Sequence, residues 1–256
     1  MLSNIGVLAL GTFRETVRDR IFYLVAVFGF VMLISTAVVS PLTIGAQGKI
    51  MSDVGLAAMT VFGLLVVVFV GSNMVRKEME KGTILTILSK PVSRRQYLWG
   101  KFLGLSMTQI SMIAVMGVLF LLMTFLAPGE FSLRYLPAIF MTFLEMILIT
   151  AVVILFSTCV SPVLSAVLTL GVFIMGHLSE SIRDFGMMQG SVFQAKVAQV
   201  VYYLVPNLEV FNVRGAVVHG GTVGFDHLLM ATIYCLTYSG LVLIIAGAVF
   251  ARRELR

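Results

Sequence analysis

The sequence predicts an all-α integral membrane protein with six transmembrane helices, and three observations support this fold class. Hydrophobic residues make up 59% of the 256 residues and charged residues only 12%, with a mean hydropathy of +1.03. Soluble domains contain about 45–50% apolar and about 25% charged residues. The apolar runs are continuous over about 20 residues, whereas strands of a membrane barrel alternate apolar and polar side chains. Because a lipid-embedded backbone must satisfy its own hydrogen bonds, these continuous runs predict helices.

Six stretches, uncharged apart from Glu145 in the fourth, are long enough to be candidate spans across a hydrocarbon core of about 30 Å. They are residues 21–40, 54–75, 102–127, 135–160, 162–178 and 228–251. The fifth is the shortest, and only Ser161 and Pro162 separate it from the fourth. Proline disfavours helix at the residue before it, which predicts a tight turn there. The alternative is one kinked, partly re-entrant element, which would leave five full spans.

The distribution of basic residues predicts the orientation of the spans. With six spans, one side of the membrane receives 13 of the 18 Lys and Arg residues: Arg14, Arg18, Arg20, Arg76, Lys77, Lys81, Lys90, Arg94, Arg95, Lys101, Arg252, Arg253 and Arg256. Basic residues stay on the cytoplasmic side. We therefore expect both termini in the cytoplasm of a bacterial or archaeal cell, with the protein in the cytoplasmic (inner) membrane.

The net charge of +6 follows from these same flanking residues. Contact with anionic membrane lipid accounts for it, so we expect no nucleic-acid partner. Residues 1–20 carry no small-residue cleavage site before the first span, which we expect to act as its own uncleaved signal. The two cysteines, Cys159 and Cys235, fall within predicted spans and predict no disulfide framework.

Residues 1–20 show a helical pattern that is too charged for a span. Leu10, Phe13, Val17 and Ile21 recur at three- and four-residue spacing with charged residues between them. This pattern predicts an amphipathic helix in the cytoplasmic membrane interface. An N-terminal extension of the first span is the alternative.

Residues 76–101, between the second and third spans, form a predicted cytoplasmic segment with a distinctive pattern. Charges crowd its start, a short apolar run occupies residues 84–88, and Lys90 with Pro91 ends that run. Ser93 and Gln96 match a capping box for the next helix. The pattern predicts a short surface helix held between two spans. A basic loop bound to anionic lipid is the alternative, although it would require only the charges.

The long segment 179–227 is predicted to lie on the outer side, between spans five and six. Apolar residues recur in it at helical spacing, and turn residues follow them: Phe193, Val197, Val200 or Val201, Leu204, Pro206, Asn207, Gly220 and Gly221. This pattern predicts an amphipathic or re-entrant helical hairpin against the outer leaflet. The whole chain, residues 1–256, is then one membrane domain.

Residues 76–101 resemble the permease subunits of ABC exporters of the type-2 class, which have the type V fold. The residues that carry the resemblance are Arg76, Glu78, Glu80, Gly82, Thr83, the run from Leu88 to Arg94, Gly100 and Lys101. The likeness is closest to the branch involved in maturation of multi-copper enzymes and nitrous oxide reductase. The stretch from Pro206 to Glu209, with Phe211 and Asn212, is also similar to that branch.

The resemblance implies a division of labour between subunits. Two permease subunits, here expected to be a homodimer, would pair with two copies of a separate ABC ATPase. A coupling helix between spans two and three would sit in a groove of the ATPase, and a periplasmic accessory protein is a further possible partner. The matching coupling residues are Arg76, Glu78, Glu80, Gly82, Thr83, Leu85 and Leu88.

The chain itself shows no motif for ATP hydrolysis. A phosphate-binding loop requires G-x-x-x-x-G-K-[ST], whereas Gly48-Lys49 and Gly100-Lys101 precede Ile50 and Phe102. We find no spacing typical of a metal centre and no nucleophile elbow, and therefore predict no catalytic residue, no metal and no cofactor. A membrane-embedded lipid-modifying enzyme and a non-transporting scaffold are the alternative functions.

Glu145 is the one acidic residue deep within a predicted span. Such residues usually face the interior of the bundle and mark function or a hydrogen bond between helices. We therefore predict that Glu145 is neutral or paired with another helix, where it has a structural role or lies on a substrate path or subunit interface.

Soft ligands and small residues prompt two further hypotheses. Cys159, Met175 and His177 lie on adjacent spans, so copper binding is a minor alternative. Eight glycines fit close contacts between helices: Gly63, Gly71, Gly104, Gly117, Gly171, Gly176, Gly240 and Gly247.

Overall fold

The computed structural model describes residues 2–18, 21–42, 47–80, 93–126, 133–188, 196, 199–200 and 202–252, and its regular structure there is helical. The α-helices are α1 (Leu2–Arg18), α2 (Ile21–Leu42), α3 (Gln47–Glu80), α4 (Arg94–Leu126), α5 (Leu136–Cys159), α6 (Pro162–His177), α7 (Ser179–Met188), α8 (Arg214–Val218) and α9 (Phe225–Arg252). Two short 3-10 helices cover Leu133–Tyr135 and Glu209–Phe211. The predicted all-α class is confirmed.

Four helical stretches in the described part of the chain are long and apolar enough to cross a membrane. They are Gly48–Met74, Arg95–Leu126, Leu133–Cys159 and Phe225–Arg252. Two shorter apolar stretches, Tyr23–Ser35 within α2 and Pro162–His177, fall below that length. The count of six spans therefore stays a prediction.

Helices α3 and α4 are longer than the predicted spans. They contain 34 and 33 residues, about 50 Å at 1.5 Å per residue, which exceeds the thickness of a hydrocarbon core. Hydropathy marks only the apolar part of each helix, whereas the helices also include charged residues near their ends, such as Lys49 in α3 and Arg94 in α4.

Helix α5 occupies the centre of the bundle. Helices α3, α4, α6 and α9 all pack against it. Of its most apolar window, 67% is buried within the protein, compared with 28% for α9. Close approach to α3 is possible because a Cβ atom on Gly71 would lie 2.4 Å from Val153 Cγ1. The prediction that glycines mark helix contacts is confirmed at residues 63, 71, 104 and 117, whereas Gly176 packs against the non-helical residues Pro206 and Leu208.

For Gly171 and Gly240 it stays a prediction. Within the described part of the chain, an added Cβ would meet no atom within 4 Å at either position. The sequence pattern cannot separate these positions from the others, because a glycine recurs on a helix face whether or not another helix covers that face. Gly247 lies at ordinary contact distance, with its Cβ position 3.5 Å from Arg95 Cγ.

The face of α1 that packs against α4 differs from the predicted apolar face. Ala9, Thr12 and Thr16 are buried, whereas Leu10 is 46% exposed. The small residues face α4 because Gly104 leaves only a shallow groove, in which an added Cβ would lie 2.7 Å from the Ala9 carbonyl oxygen. The large apolar side chain of Leu10 therefore remains available to lipid, as an interfacial helix requires.

Candidate functional site

The predicted coupling residues lie at the end of α3 and beyond it. Three of them, Arg76, Glu78 and Glu80, lie in the last turns of α3. Gly82, Thr83, Leu85 and Leu88 lie outside the described residues, as does the predicted surface helix at residues 84–88. The coupling role of all seven residues stays a prediction.

Helix α4, which follows the coupling segment, begins with the predicted capping box. The Gln96 backbone N–H donates to Ser93 Oγ at 3.3 Å, and the Ser93 backbone N–H donates to Gln96 Oε1 at 2.9 Å. This reciprocal pairing satisfies two backbone donors at the start of the helix. The prediction from residues 93 and 96 is confirmed.

The first turns of α4 are fixed on two sides. The ring of Tyr97 stacks on Phe250 of α9, with centroids 5.9 Å apart and planes at 22°. On the side facing α1, Gly100 allows Leu8 to pack so closely that an added Cβ would lie 2.7 Å from Leu8 Cβ. A displacement at the start of α4 would therefore be passed to both neighbouring helices.

A second candidate site results from the unequal lengths of α5 and α6. These antiparallel helices contain 24 and 16 residues, so α6 ends about 12 Å before α5 begins. The segment after Pro206 fills this gap. The Leu208 backbone N–H donates to the Gly176 carbonyl at 3.1 Å, and the Leu208 side chain is fully buried.

Side-chain hydrogen bonds hold this segment in place. The Asn207 backbone N–H donates to Tyr234 Oη at 2.9 Å, and Asn207 Nδ2 donates to Glu180 Oε1 at 3.2 Å. The Glu209 backbone N–H donates to Asn207 Oδ1 at 3.0 Å, while Asn212 Nδ2 donates to Glu209 Oε1 at 2.8 Å. The stretch that resembles the exporter branch is thus an ordered cap on the end of α6.

A cavity of about 230 Å³ lies beneath this cap, between α3, α5 and α6. Its lining residues are Leu56, Ala57, Thr60, Val61, Ala138, Thr142, Glu145, Phe173, His177, Phe211, Asn212, Val213 and Arg214. We call it the polar cavity, because a carboxylate, an imidazole, a guanidinium and two hydroxyl side chains line it.

Glu145 lies in the wall of the polar cavity and is only 3% exposed. Its Oε1 atom is 3.4 Å from His177 Nε2. The contact is close enough for an ion pair but lacks hydrogen-bond geometry, so Glu145 Oε1 has no hydrogen-bond partner among the described residues. This contact confirms the prediction that Glu145 approaches a residue on another helix. A functional role for Glu145 stays a prediction.

A model of the ABC-2 family transporter proteins matches residues 7–255. The chain belongs to the ABC-2 transporter family. It is therefore a permease, the membrane component of an ABC transporter, and not the catalytic one; membership implies an ABC ATPase as partner. Among curated proteins, none matches this sequence significantly.

In the permease, both ring nitrogens of His177 face oxygen atoms. His177 Nδ1 lies 3.2 Å from the Phe173 carbonyl oxygen one turn earlier in α6, and Nε2 lies 3.4 Å from Glu145 Oε1 of α5. The imidazole ring therefore lies between the backbone of α6 and the Glu145 side chain.

A rim of ionic and polar contacts borders the polar cavity. Arg214 Nε lies 2.9 Å from Asp53 Oδ1 at the start of α3. Nearby, Ser52 Oγ donates to Tyr135 Oη at 2.9 Å, and Arg134 Nη2 donates to the same oxygen at 3.0 Å. These contacts connect the cap to α3 and to the turn before α5.

The structure does not bring the hypothetical copper ligands together. Cys159 ends α5 and His177 ends α6, so they lie at opposite ends of α6, about 22 Å apart by helix rise. Cys235 is buried and donates to the Leu144 carbonyl at 3.2 Å. Within the described residues, no three His, Cys, Asp or Glu side chains are grouped to hold a metal ion.

Sequence reasoning found Glu145 but missed His177 as its partner, together with Asp53 and Arg214. The available signal was helix register. Counted from Ser161, Glu145 lies 16 residues back and His177 lies 16 residues on, so a tight turn there places both at one level. No comparable signal links Arg214 to Asp53, because the two residues are 161 positions apart and no helix register relates them.

Proposed function

We propose that this permease is the membrane subunit of an ATP-driven exporter, driven by a separate ATPase that engages residues 76–89. The observation that carries the proposal is the pair of long helices α3 and α4, which flank the segment on both sides. A short element held between two rigid helices converts a displacement of its partner into a tilt of both.

Helix α3 also provides a route from the proposed coupling segment to the polar cavity. It ends at Glu80, and the same helix supplies Leu56, Ala57, Thr60 and Val61 to the cavity wall. Closure of an ATPase dimer that moved the end of α3 would therefore move one wall of the polar cavity. The coupling segment and the polar cavity would then be linked because both change when the rigid helix α3 moves between two positions.

The proposed assembly contains two permease subunits as a homodimer and two ATPase subunits, in the cytoplasmic membrane with both termini inside. Support comes from the basic residues near the start of α4 and from the resemblance of residues 76–101. The resemblance of the cap from Pro206 to Asn212 favours the branch of enzyme-maturation exporters. A periplasmic accessory protein belongs to the same proposal.

The test is co-expression of the permease with an ABC ATPase from the same genome. The expected result is a complex that survives purification and whose ATP hydrolysis depends on an intact permease. Deletion of residues 84–88 should abolish the complex while the permease still accumulates in the membrane. If the intact permease never co-purifies with an ATPase, the proposed function is wrong.

A further inference from the structure

We propose that the polar cavity binds a protonated amine attached to an apolar body. This inference deepens the proposed function by naming a class of cargo, and it rests on that function only for the claim that the ligand is transported. The binding itself depends on the described residues of the cavity alone.

The walls of the polar cavity offer hydrogen-bond acceptors. The Thr60 hydroxyl donates to the Leu56 carbonyl at 3.3 Å, and the Thr142 hydroxyl donates to the Ala138 carbonyl at 3.0 Å. Each hydroxyl has one proton, so each oxygen is left to accept. Together with the Oε1 atom of Glu145, the α3 and α5 walls present three acceptor oxygens. A primary ammonium group has three N–H donors and no acceptor.

The charges around the cavity favour a cation over an anion. Three charged or titratable groups act on Glu145: His177, Glu209 and Arg214. The charge of Arg214 is balanced by Asp53 at 2.9 Å. Glu209 and a Glu145 carboxylate would both repel an anion, whereas an ammonium group would form an ion pair with the Glu145 carboxylate.

The rest of the lining fits an apolar body. Leu56, Val61, Ala138, Phe173 and Phe211 contribute apolar surface to the same cavity. A volume of about 230 Å³ exceeds that of a small aromatic amine such as benzylamine. Ligand pockets commonly combine such an apolar lining with a few polar groups that fix orientation.

The experiment measures binding of benzylammonium to the purified permease in phosphatidylcholine nanodiscs by calorimetry. A zwitterionic lipid is chosen because anionic headgroups would themselves bind the probe. Benzyl alcohol, which has nearly the same shape without the charge, is the matched probe. The variants are Glu145→Gln, and Asp184→Asn as a control that removes a carboxylate from an exposed pair with Arg183 outside the cavity.

We expect Glu145→Gln to weaken benzylammonium binding at least tenfold and to change benzyl alcohol binding less than twofold. Asp184→Asn should change neither. Thr60→Val and Thr142→Val each remove one acceptor at nearly constant volume and should weaken benzylammonium several-fold, which keeps the proposal testable if Glu145→Gln fails to fold.

Three results would overturn the proposal: no binding of benzylammonium to the native permease, equal binding to all the cavity variants, or an equal loss in Asp184→Asn. This binding assay contains no ATPase, so it is independent of the co-purification test of the proposed function. If the ATPase co-purifies but benzylammonium does not bind, only the cavity proposal is contradicted. If benzylammonium binds but no ATPase co-purifies, only the transporter proposal is contradicted.

Discussion

The Leu208 side chain lies directly over Gly176, whose carbonyl accepts the Leu208 backbone N–H at 3.1 Å. A Cβ on Gly176 would lie 2.6 Å from Leu208 Cγ and 2.8 Å from the Pro206 carbonyl oxygen. This contact seals the end of α6, and backbone atoms form part of it. Even a small separation of the cap from α6 would therefore break the hydrogen bond between Leu208 and Gly176.

Gly176→Ala should destabilise the permease because a backbone oxygen blocks the added methyl group. Overpacking of this kind costs about 1–3 kcal/mol. The measurement is thermal unfolding of the purified permease, with Gly171→Ala on the same helix as the control. Gly171 has open space around it in the described structure, so its variant should be neutral. Equal unfolding temperatures for the two variants would contradict the packing of the cap.

Gly104→Ala should release α1 from α4, because its Cβ would lie 2.5 Å from Thr12 Cβ and 2.7 Å from the Ala9 carbonyl oxygen. Thr12 is 2% exposed, so a Thr12→Cys reporter should react slowly with a maleimide. Adding Gly104→Ala to this reporter should accelerate the maleimide reaction several-fold. Gly11→Ala, which meets no described atom within 4 Å, is the control. Unchanged labelling in Gly104→Ala would show that α1 does not pack as described.

Glu145→Gln should preserve assembly, because an amide retains hydrogen-bonding capacity beside His177. Glu145→Leu removes the polar group that faces the half-buried His177 imidazole, at a cost of up to about 1–3 kcal/mol. The measurements are membrane level and thermal unfolding of each variant. If Glu145→Leu assembles and transports as well as the native protein, Glu145 has neither a functional role nor a role in pairing the helices.

The predicted topology places residues 179–227 outside the cell and residues 76–101 inside it. Cysteines introduced at Gln194 and at Lys81 should therefore differ in intact cells, where only the first should react with an impermeant thiol reagent. Permeabilised cells, in which both should react, provide the control. Labelling of the Lys81 position in intact cells would reverse the orientation.

The sequence predicted features that depend on local chemistry. Ser93 and Gln96 lie three residues apart, which is sufficient to specify a capping box. Glu145 was conspicuous because a charge within an apolar run is costly and therefore rarely incidental. These predictions needed no knowledge of the path of the chain.

Features that depend on how elements meet were not predictable. Gly171 and Gly176 share one helix, but only Gly176 lies under Leu208, and that contact depends on where the segment after Pro206 returns. The face of α1 that packs against α4 was not predictable for a related reason. Hydropathy assigned the face with Leu10 to the membrane interface, and that residue is exposed. The packing face consists of Ala9 and Thr12, because Gly104 admits only small residues there.

The central claim, that a separate ATPase drives this permease through residues 76–89, is tested most directly by charge reversal of Glu78 and Glu80. The double variant Glu78→Lys, Glu80→Lys raises the net charge of a basic segment by four and should repel a partner surface that complements the carboxylates. Like-charge contacts across an interface cost several kcal/mol, enough to abolish a micromolar association.

Membrane insertion should survive the double reversal, since extra cytoplasmic lysines reinforce the orientation. Glu15→Lys, at an exposed position of α1, is the control for added charge on the same side. The measurement is co-purification of the ATPase with each permease variant, normalised to the amount of permease in the membrane. We expect the double variant to lose the ATPase, and the native protein and Glu15→Lys to retain it. Co-purification of the ATPase with the double variant at the native ratio would contradict coupling through residues 76–89.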